Sequence, residues 1–192
     1  ALVREVIEEI AEEQGYHFKM AVIHADQSKE YLHEKLKAGK IEPLGPIDDV
    51  TEGTIEETHR VVAMMGVEPF QQALRDGAQV VLAGRATDAS IYSAIPLMQG
   101  YDPGLVWHLS KIIECAGAVA VPKSGQDCMI GILKPDHFLV VPAHPDSRCT
   151  RMSVAAHTLY ENPSPYHLQE TDGTVVTVDS TYEQADDRTA QV

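Results

Sequence analysis

The chain has 192 residues, of which 44% are hydrophobic and 23% are charged, as is usual for a soluble globular protein. Its formal net charge is -14. Nucleic acids and anionic membrane surfaces attract clustered lysine and arginine, so we expect neither a nucleic acid nor a membrane partner. No apolar run reaches the roughly 20 residues that cross a bilayer.

The three cysteines are an odd number and lack CxxC spacing. This pattern favours free thiols in a reducing compartment over a disulfide framework or a zinc site. The chain opens on an amphipathic segment that does not resemble a signal peptide. We therefore expect a cytoplasmic protein.

Hydrophobic periodicity predicts alternating helices and short strands along the chain. The predicted helices span residues 1–14, 31–37, 58–65, 67–75, 91–98, 105–117 and 150–160. The predicted strands span residues 18–23, 80–83, 129–133, 138–141 and 174–178, with a further pair between 182 and 192.

This alternation predicts an α/β fold with a mostly parallel sheet flanked by helices in three layers. We assign residues 1–122 to that part. Residues 123–192 are expected to form an α+β part with antiparallel hairpins, packed on the first part as one unit. A doubly wound fold begins with a strand, whereas this chain begins with a helix, so we expect the first strand to lie upstream in a longer polypeptide.

The junction after the predicted strand 80–83 carries the first group of candidate site residues. Gly84, Arg85, Thr87, Asp88 and Ser90 follow the strand and precede a helix. Ligands of open α/β sheets bind outside the carboxyl ends of strands, where backbone N–H groups and an arginine can hold a carboxylate or phosphate. The alternative is that Asp88 and Ser90 only cap the helix while Arg85 pairs with a surface glutamate.

A second strand end carries His24 and Asp26 and is expected at the same edge of the sheet. The two side chains could form an acid/base pair, or Asp26 could contact a ligand hydroxyl group. No GxGxxG motif precedes them, so a nucleotide cofactor is not indicated. The alternative is that Asp26 caps the next helix.

Two further residues carry a possible reactive group. His108 lies on the predicted helix 105–117, where most histidines are structural. Cys149 precedes Thr150, the expected cap of helix 150–160, and a helix N-terminus stabilises a thiolate. No metal-binding motif of usual spacing is present, so we predict no metal site, and the cofactor is unknown.

Four segments together resemble the acyclic terpene utilisation (AtuA-like) family. They are VLAGRATDAS at 81–90, WHLSKIIEC at 107–115, CTRMSVAAHTLYE at 149–161 and YEQADDR at 182–188. The resemblance implies a chain that lacks the family's glycine-rich N-terminal segment. It also marks Gly84, Arg85, Thr87, Asp88 and Ser90, then His108 and Glu114, as positions of interest.

The resemblance implies breakdown of acyclic terpenes such as citronellol and geraniol through acyl-CoA thioesters. We therefore predict a catabolic enzyme, of lyase or hydratase type, that acts on a carboxylate or acyl-CoA intermediate by proton abstraction, hydration or lysis. Asp88 and His108 are the predicted proton-transfer residues. Gly84, Arg85, Thr87, Ser90 and Asp26 are the predicted substrate-binding residues, and CoA is possible as part of the substrate.

The alternative is a non-catalytic subunit that binds an acyl-CoA or docks a partner chain. Under either hypothesis we expect a homo-oligomer or a companion subunit.

Overall fold

The computed structural model describes residues 2–123, 127–160, 162 and 164–192. These residues form two compact units, each built from two separate segments of the chain. Unit 1 comprises Ala1–Met65 and Ala73–Ala86, and unit 2 comprises Gly66–Gln72 and Thr87–Val192. The predicted boundary at residue 122 lies inside unit 2, and the division into parts 1–122 and 123–192 stays a prediction.

Unit 1 is built on a parallel pair of short strands. Its elements are α1 (Leu2–Gln14), β1 (Met20–Ile23), β2 (Asp26–Gln27), α2 (Lys29–Lys37), α3 (Glu52–Glu57), β3 (Val61–Val62) and β4 (Val80–Ala83). Strands β1 and β4 pair in parallel, from Met20 opposite Val80 to Ile23 opposite Ala83. Strands β2 and β3 pair antiparallel. Helix α4 (Glu68–Arg75) begins in unit 2 and ends in unit 1.

Unit 2 combines helices with antiparallel sheets. Its elements after α4 are α5 (Ser90–Met98), α6 (Pro103–Ile113), a 3-10 turn (Ala116–Val119), β5 (Met129–Leu133), β6 (Phe138–Pro142), α7 (Arg151–His157), β7 (His167–Glu170), β8 (Gly173–Val176), β9 (Glu183–Gln184) and β10 (Ala190–Gln191). One sheet has the order β5-β6-β10-β9, and β7 pairs with β8 in a separate hairpin.

Alternating side chains of β6 build the core of unit 2. Phe138 and Val140 point inward, where they pack with Leu109 and Ile112 of α6 and Val154 of α7. All five side chains are at most 4% exposed. Burial of an aliphatic or aromatic side chain of this size stabilises a fold by roughly 1.5–3 kcal/mol, so this cluster anchors α6 and α7 to the sheet.

The predicted α/β class is confirmed, but the parallel part is smaller than expected. In the described part of the chain, the parallel sheet of unit 1 has only two strands, so the three-layer arrangement stays a prediction. The antiparallel hairpins are confirmed by β5–β6 and by β9–β10. Strand β7 was missed, because HLQE lacks a clear apolar alternation.

The predicted helix over residues 58–65 is wrong. The helix lies earlier, at α3, where Thr51 and Thr54 form a reciprocal capping box. It ends at Thr58, whose backbone is extended, and Val61 and Val62 then form β3. Two consecutive β-branched valines favour a strand over a helix, because their side chains are restricted in a helical turn.

None of the helices within the described ranges is long and apolar enough to cross a membrane.

Candidate functional site

The carboxyl ends of β1 and β4 lie side by side in unit 1, as the parallel pairing predicts. The backbone N–H of Gly84 donates to the carbonyl oxygen of Ile23 at 2.9 Å. A Cβ atom on Gly84 would lie 2.7 Å from the Cβ of Ala25 and 2.9 Å from its backbone nitrogen. Gly84 therefore permits close packing of the two strand ends, and its predicted role in substrate binding stays a prediction.

An extended segment, residues 61–65, continues the hydrogen bonding beyond both strand ends. The N–H of Ala63 donates to the carbonyl oxygen of Ala25 at 2.8 Å, and the N–H of Met65 donates to that of Arg85 at 3.1 Å. These bonds satisfy backbone groups that the two-stranded ladder leaves unpaired. The ends of β1 and β4 are thus fixed in position rather than loose.

A cleft of about 570 Å³ lies between the first half of α1 and these strand ends. It is lined by Val3, Arg4, Glu5, Glu8, Val22, Ile23, His24, Ala25, Asp26, Leu82, Ala83 and Gly84. The structure thus brings Asp26 and Gly84 of the predicted site together, with His24 beside them. The volume of the cleft falls within the roughly 300–1,000 Å³ of typical small-molecule sites.

The cleft has an apolar floor and a charged rim. Val22, Ile23 and Leu82 are half-buried strand residues of the floor. On the rim, the Nε of Arg4 donates to Glu8 at 2.8 Å. The carboxylate of Asp26 accepts from the Nε of Arg60 at 3.1 Å. The rim therefore carries positively and negatively charged side chains at the edge of an apolar surface.

The capping role considered for Asp26 is wrong. The N-cap of α2 is Ser28, whose hydroxyl oxygen accepts from the backbone N–H of Tyr31 at 3.2 Å. Asp26 instead lies in β2 and pairs with Arg60. Both His24 and Asp26 are exposed at the cleft.

The second half of the predicted junction belongs to unit 2. Here the side chains of Thr87 and Ser90 share a hydrogen bond between their hydroxyl groups. The N-cap of α5 is Ala89, which makes no side-chain capping hydrogen bond, and Ser90 is the first residue of the helix. Neither Asp88 nor Ser90 therefore occupies the N-cap position considered for them.

Ser90 and Asp88 differ sharply in accessibility. Ser90 is fully buried, whereas Asp88 is exposed, as is Arg85 at the end of unit 1. Burial favours a structural role for Ser90. The predicted roles of Arg85 in anion binding and Asp88 in proton transfer stay predictions.

His108 lies in the interior of unit 2 and is 3% exposed. Its ring meets Phe138 edge-on at 5.3 Å between centroids, and its Nε2 lies 3.5 Å from the hydroxyl of Tyr182. Burial lowers the pKa of His108 to about 4, because the charged imidazolium loses its hydration. This environment favours a neutral structural histidine, and the predicted catalytic role stays a prediction.

A polar cluster in unit 2 was missed by the sequence reasoning. Burial raises the pKa of Glu170, the last residue of β7, which lies near the charges of Lys111 on α6 and of Glu114, the residue that follows α6. Lys111 and Glu114 form an ion pair whose side chains are only 17% and 4% exposed. The resemblance had marked Thr87 and Glu114, but a single acid before a turn gave no signal for Glu170.

Cys149 does not carry the stabilised thiolate that its place before a helix made possible. Burial raises the pKa of its thiol to about 12, and the nearby carboxylate of Asp127 adds to the effect. The side chain is 0% exposed and packs in the core of unit 2. Burial raises the pKa of the thiol by more than the N-terminus of the following short helix could lower it. Cys149 therefore behaves as a small hydrophobic residue.

Groups of His, Cys, Asp and Glu that could hold a metal ion were sought throughout the described ranges. No group of three or more such side chains is present there.

Comparison with protein families gives one match. The model of the acyclic terpene utilisation family protein AtuA covers residues 1–123. The match includes the segments at 81–90 and 107–115, whereas those at 149–161 and 182–188 lie beyond it. Neither the curated proteins nor the solved structures give a match. Because the family match spans more than half of the sequence, the chain belongs to the acyclic terpene utilisation family.

Proposed function

We propose that the chain is a catabolic enzyme that acts on an acyl-CoA or carboxylate intermediate of acyclic terpene breakdown. Family membership implies involvement in acyclic terpene utilisation. The observation that carries the finer proposal is the cleft of unit 1, which joins an apolar floor to a charged rim. An acyclic terpenoid acid has the matching character, with a branched apolar chain and one polar end.

The floor suits the branched chain of the substrate. Val22, Ile23 and Leu82 present apolar surface that no neighbouring element in the described part of unit 1 fully covers. Transfer of apolar surface out of water contributes about 25 cal/mol per Å². Contact with the floor therefore provides most of the affinity, and the rim sets the orientation.

The rim suits the polar end of the substrate. Arg4 uses Nε for Glu8, so its terminal nitrogens can form a bidentate contact with a carboxylate or phosphate group. His24 and Asp26, exposed at the same cleft, are the groups that would move a proton. Proton abstraction, hydration and lysis all need such a group beside the acyl carbonyl.

A second candidate function is a non-catalytic subunit that docks a partner chain. Helix α5 favours it, because Ile91, Tyr92, Ile95 and Met98 are 39–56% exposed along one side of the helix. Contiguous exposed apolar surface marks interaction sites in many proteins. The assignment to a homo-oligomer or a companion subunit rests on this stripe.

Calorimetric titration with the free acid derived from geraniol and with its CoA thioester tests the proposal. We expect both ligands to bind, and Arg4→Ala to weaken binding about tenfold or more, since one charge-assisted hydrogen bond contributes about 1.5–3 kcal/mol. Glu9→Ala is the control, because Glu9 is exposed on the same helix and does not line the cleft.

Two outcomes would contradict the proposal. One is that neither ligand binds the wild-type protein, and the other is that Arg4→Ala binds both as tightly as Glu9→Ala. Mass spectrometry of the incubated thioester then separates the two candidate functions. A converted thioester supports the enzyme, whereas binding without conversion supports a non-catalytic subunit that binds the acyl-CoA.

A further inference from the structure

Strand β5 forms one edge of the sheet β5-β6-β10-β9, with β6 as its one neighbour in that sheet. Its hydrogen bonds to β6 follow from those at the two ends of the hairpin. The N–H of Lys134 donates to the carbonyl oxygen of His137 at 2.9 Å, and the N–H of Ala143 donates to that of Cys128 at 2.9 Å. Hydrogen-bonded residues alternate along an antiparallel pair, so the even-numbered residues of β5 turn their backbone groups toward β6.

The odd-numbered residues of β5 consequently turn their backbone groups to the outer edge of the sheet. They are Met129, Gly131 and Leu133, and within the described ranges none of their N–H and C=O groups has a hydrogen-bond partner. An open edge of this kind can pair with a further strand. Proteins usually prevent such pairing with charged side chains, proline or very short edge strands.

The opposite edge of the same sheet is protected in this way. Strand β9 has only two residues, Glu183 and Gln184, and one of them is charged. The side-chain nitrogen of Gln184 lies within hydrogen-bond distance of the carbonyl oxygens of Cys149, Asp186 and Thr189, which ties this short strand to its own unit. The edge at β5 has no such protection.

The side chains of β5 are uncharged, and their order is nearly symmetrical. The strand reads Met-Ile-Gly-Ile-Leu, with Gly131 at its centre. Ile130 and Ile132 are 49% and 39% exposed, while Met129 and Leu133 pack against the core of unit 2. A strand with this order presents the same pattern when it is turned end to end. Its edge is therefore complementary to itself, as a two-fold interface requires.

We propose that β5 is a dimerisation edge, at which it pairs antiparallel with β5 of a second copy of this chain about a two-fold axis through Gly131. In this register Met129 faces Leu133 of the second copy, Leu133 faces Met129, and Gly131 faces its own counterpart. Each of these three pairs forms two backbone hydrogen bonds, so all the outward-pointing groups of both strands are used. The two four-stranded sheets then become one continuous sheet.

The same register suits the side chains and the charges. Ile130 faces Ile132 of the second copy, twice because of the symmetry, and cross-strand pairs of such residues stabilise a sheet. No like charges face each other along the paired strands, although the chain has a net charge of -14. Lys134 lies opposite Cys128 of the second copy, next to Asp127. The charged residues nearest in sequence to the paired strands thus have opposite signs at each end.

Analytical ultracentrifugation over a range of protein concentrations tests the dimer. The wild type should reach twice the mass of 21.0 kDa and dissociate on dilution, because one strand pair is a small interface. Ile130→Lys should weaken the dimer about tenfold or more, since the symmetry makes it remove both pairs of facing isoleucines. Ile95→Lys is the matched control, because Ile95 is 51% exposed on α5, and it should dimerise as the wild type does.

Disulfide trapping tests the register, in a Cys128→Ser background that removes an exposed native thiol. Ile130 and the facing Ile132 would form a non-hydrogen-bonded pair with Cα atoms about 4.5 Å apart, within the range that a disulfide bridges. Ile130→Cys mixed with Ile132→Cys should therefore cross-link on mild oxidation. Each variant alone should cross-link much less, because identical positions would be diagonal neighbours about 7–8 Å apart.

The proposal is overturned if the wild type stays monomeric throughout the concentration range, or if Ile130→Lys dimerises as well as Ile95→Lys. A dimer that only Ile95→Lys disrupts would place the contact on α5 instead. A mixture that cross-links no better than the single variants would exclude the register about Gly131. Ligand binding to the cleft of unit 1 enters none of these measurements, so the dimer is tested separately from the proposed function.

Discussion

At the scale of single residues, burial decides what a titratable side chain can do. His108 and Cys149 both carry groups that catalyse reactions in other proteins, yet both lie in the core of unit 2. Burial removes water from the charged form of each group, so the imidazole stays neutral and the thiol stays protonated. Their sequence neighbourhoods, a helix and a helix start, contain no information about this burial.

His108 should make the stability of the protein depend on pH. Its pKa is about 4 in the folded state, against 6.5 for an exposed histidine such as that of the unfolded chain. Below pH 6.5, the unfolded state therefore binds a proton that the folded state does not. The stabilisation is present above pH 6.5 and is lost as the pH falls toward 4. The full loss is about 3 kcal/mol, at about 1.4 kcal/mol per pKa unit.

Urea unfolding between pH 7 and pH 4 measures this effect in the wild type, in His108→Gln and in His17→Gln. His108→Gln should show a smaller loss of free energy of unfolding over this range. His17 is exposed, so His17→Gln should follow the wild type. Equal pH dependence in all three proteins would show that His108 does not carry the effect.

At the scale of elements, the contact between the two parallel strand ends is a precise packing requirement. Gly84→Ala would place a methyl group 2.7 Å from the Cβ of Ala25, and the backbone nitrogen of Ala25 leaves little room to move. We expect a loss of about 1–3 kcal/mol in the free energy of unfolding, the range for overpacking a tight site. Urea unfolding measures it.

Gly45→Ala is the matched control for this substitution. Nothing within the described structure lies within 4 Å of a Cβ atom at Gly45. That variant should unfold at nearly the same urea concentration as the wild type. If Gly84→Ala is as stable as Gly45→Ala, the two strand ends can move apart with little change in the free energy of unfolding.

The elements that could be predicted from sequence are those whose local pattern agrees with their final surroundings. The run Val80–Ala83 is apolar and β-branched, and it forms the expected strand. The cap at Thr150 was also predicted, and its hydroxyl accepts from the backbone N–H of Ser153 at 3.0 Å. In both cases neighbouring residues alone determine the structure.

The same reasoning explains which part of the site was found. Parallel strands end at one edge, so the meeting of Asp26 with Gly84 followed from the two predicted strands. The interaction between Glu170 and the charge of Lys111 depends instead on β7, a polar strand that pairs with β8. Local pattern contains no signal for such a distant contact.

At the scale of the whole molecule, the net charge of -14 is the dominant feature. Like charges repel one another, and this repulsion opposes the compact state. The Debye length falls from about 30 Å at 0.01 M salt to about 3 Å at 1 M, so added sodium chloride should screen the repulsion. We expect a gain on the order of 1 kcal/mol, or about 2–4 °C in Tm.

Thermal unfolding at pH 7 in increasing sodium chloride checks this expectation. The same series near pH 4.9, the sequence pI, is the control, because the net charge is close to zero there. The gain should be much smaller at the lower pH. A Tm that falls with salt at pH 7 would mean that attractive ion pairs outweigh the overall repulsion.

The chain passes between the two compact units three times, after Met65, after Gln72 and after Ala86. Neither unit therefore corresponds to one uninterrupted stretch of sequence. A gene fragment that encodes all of unit 1 also encodes Gly66–Gln72 of unit 2, and deletion of that stretch would interrupt unit 1. Recombination between related genes would thus exchange parts of both units together. The two units are therefore expected to be inherited together rather than exchanged separately.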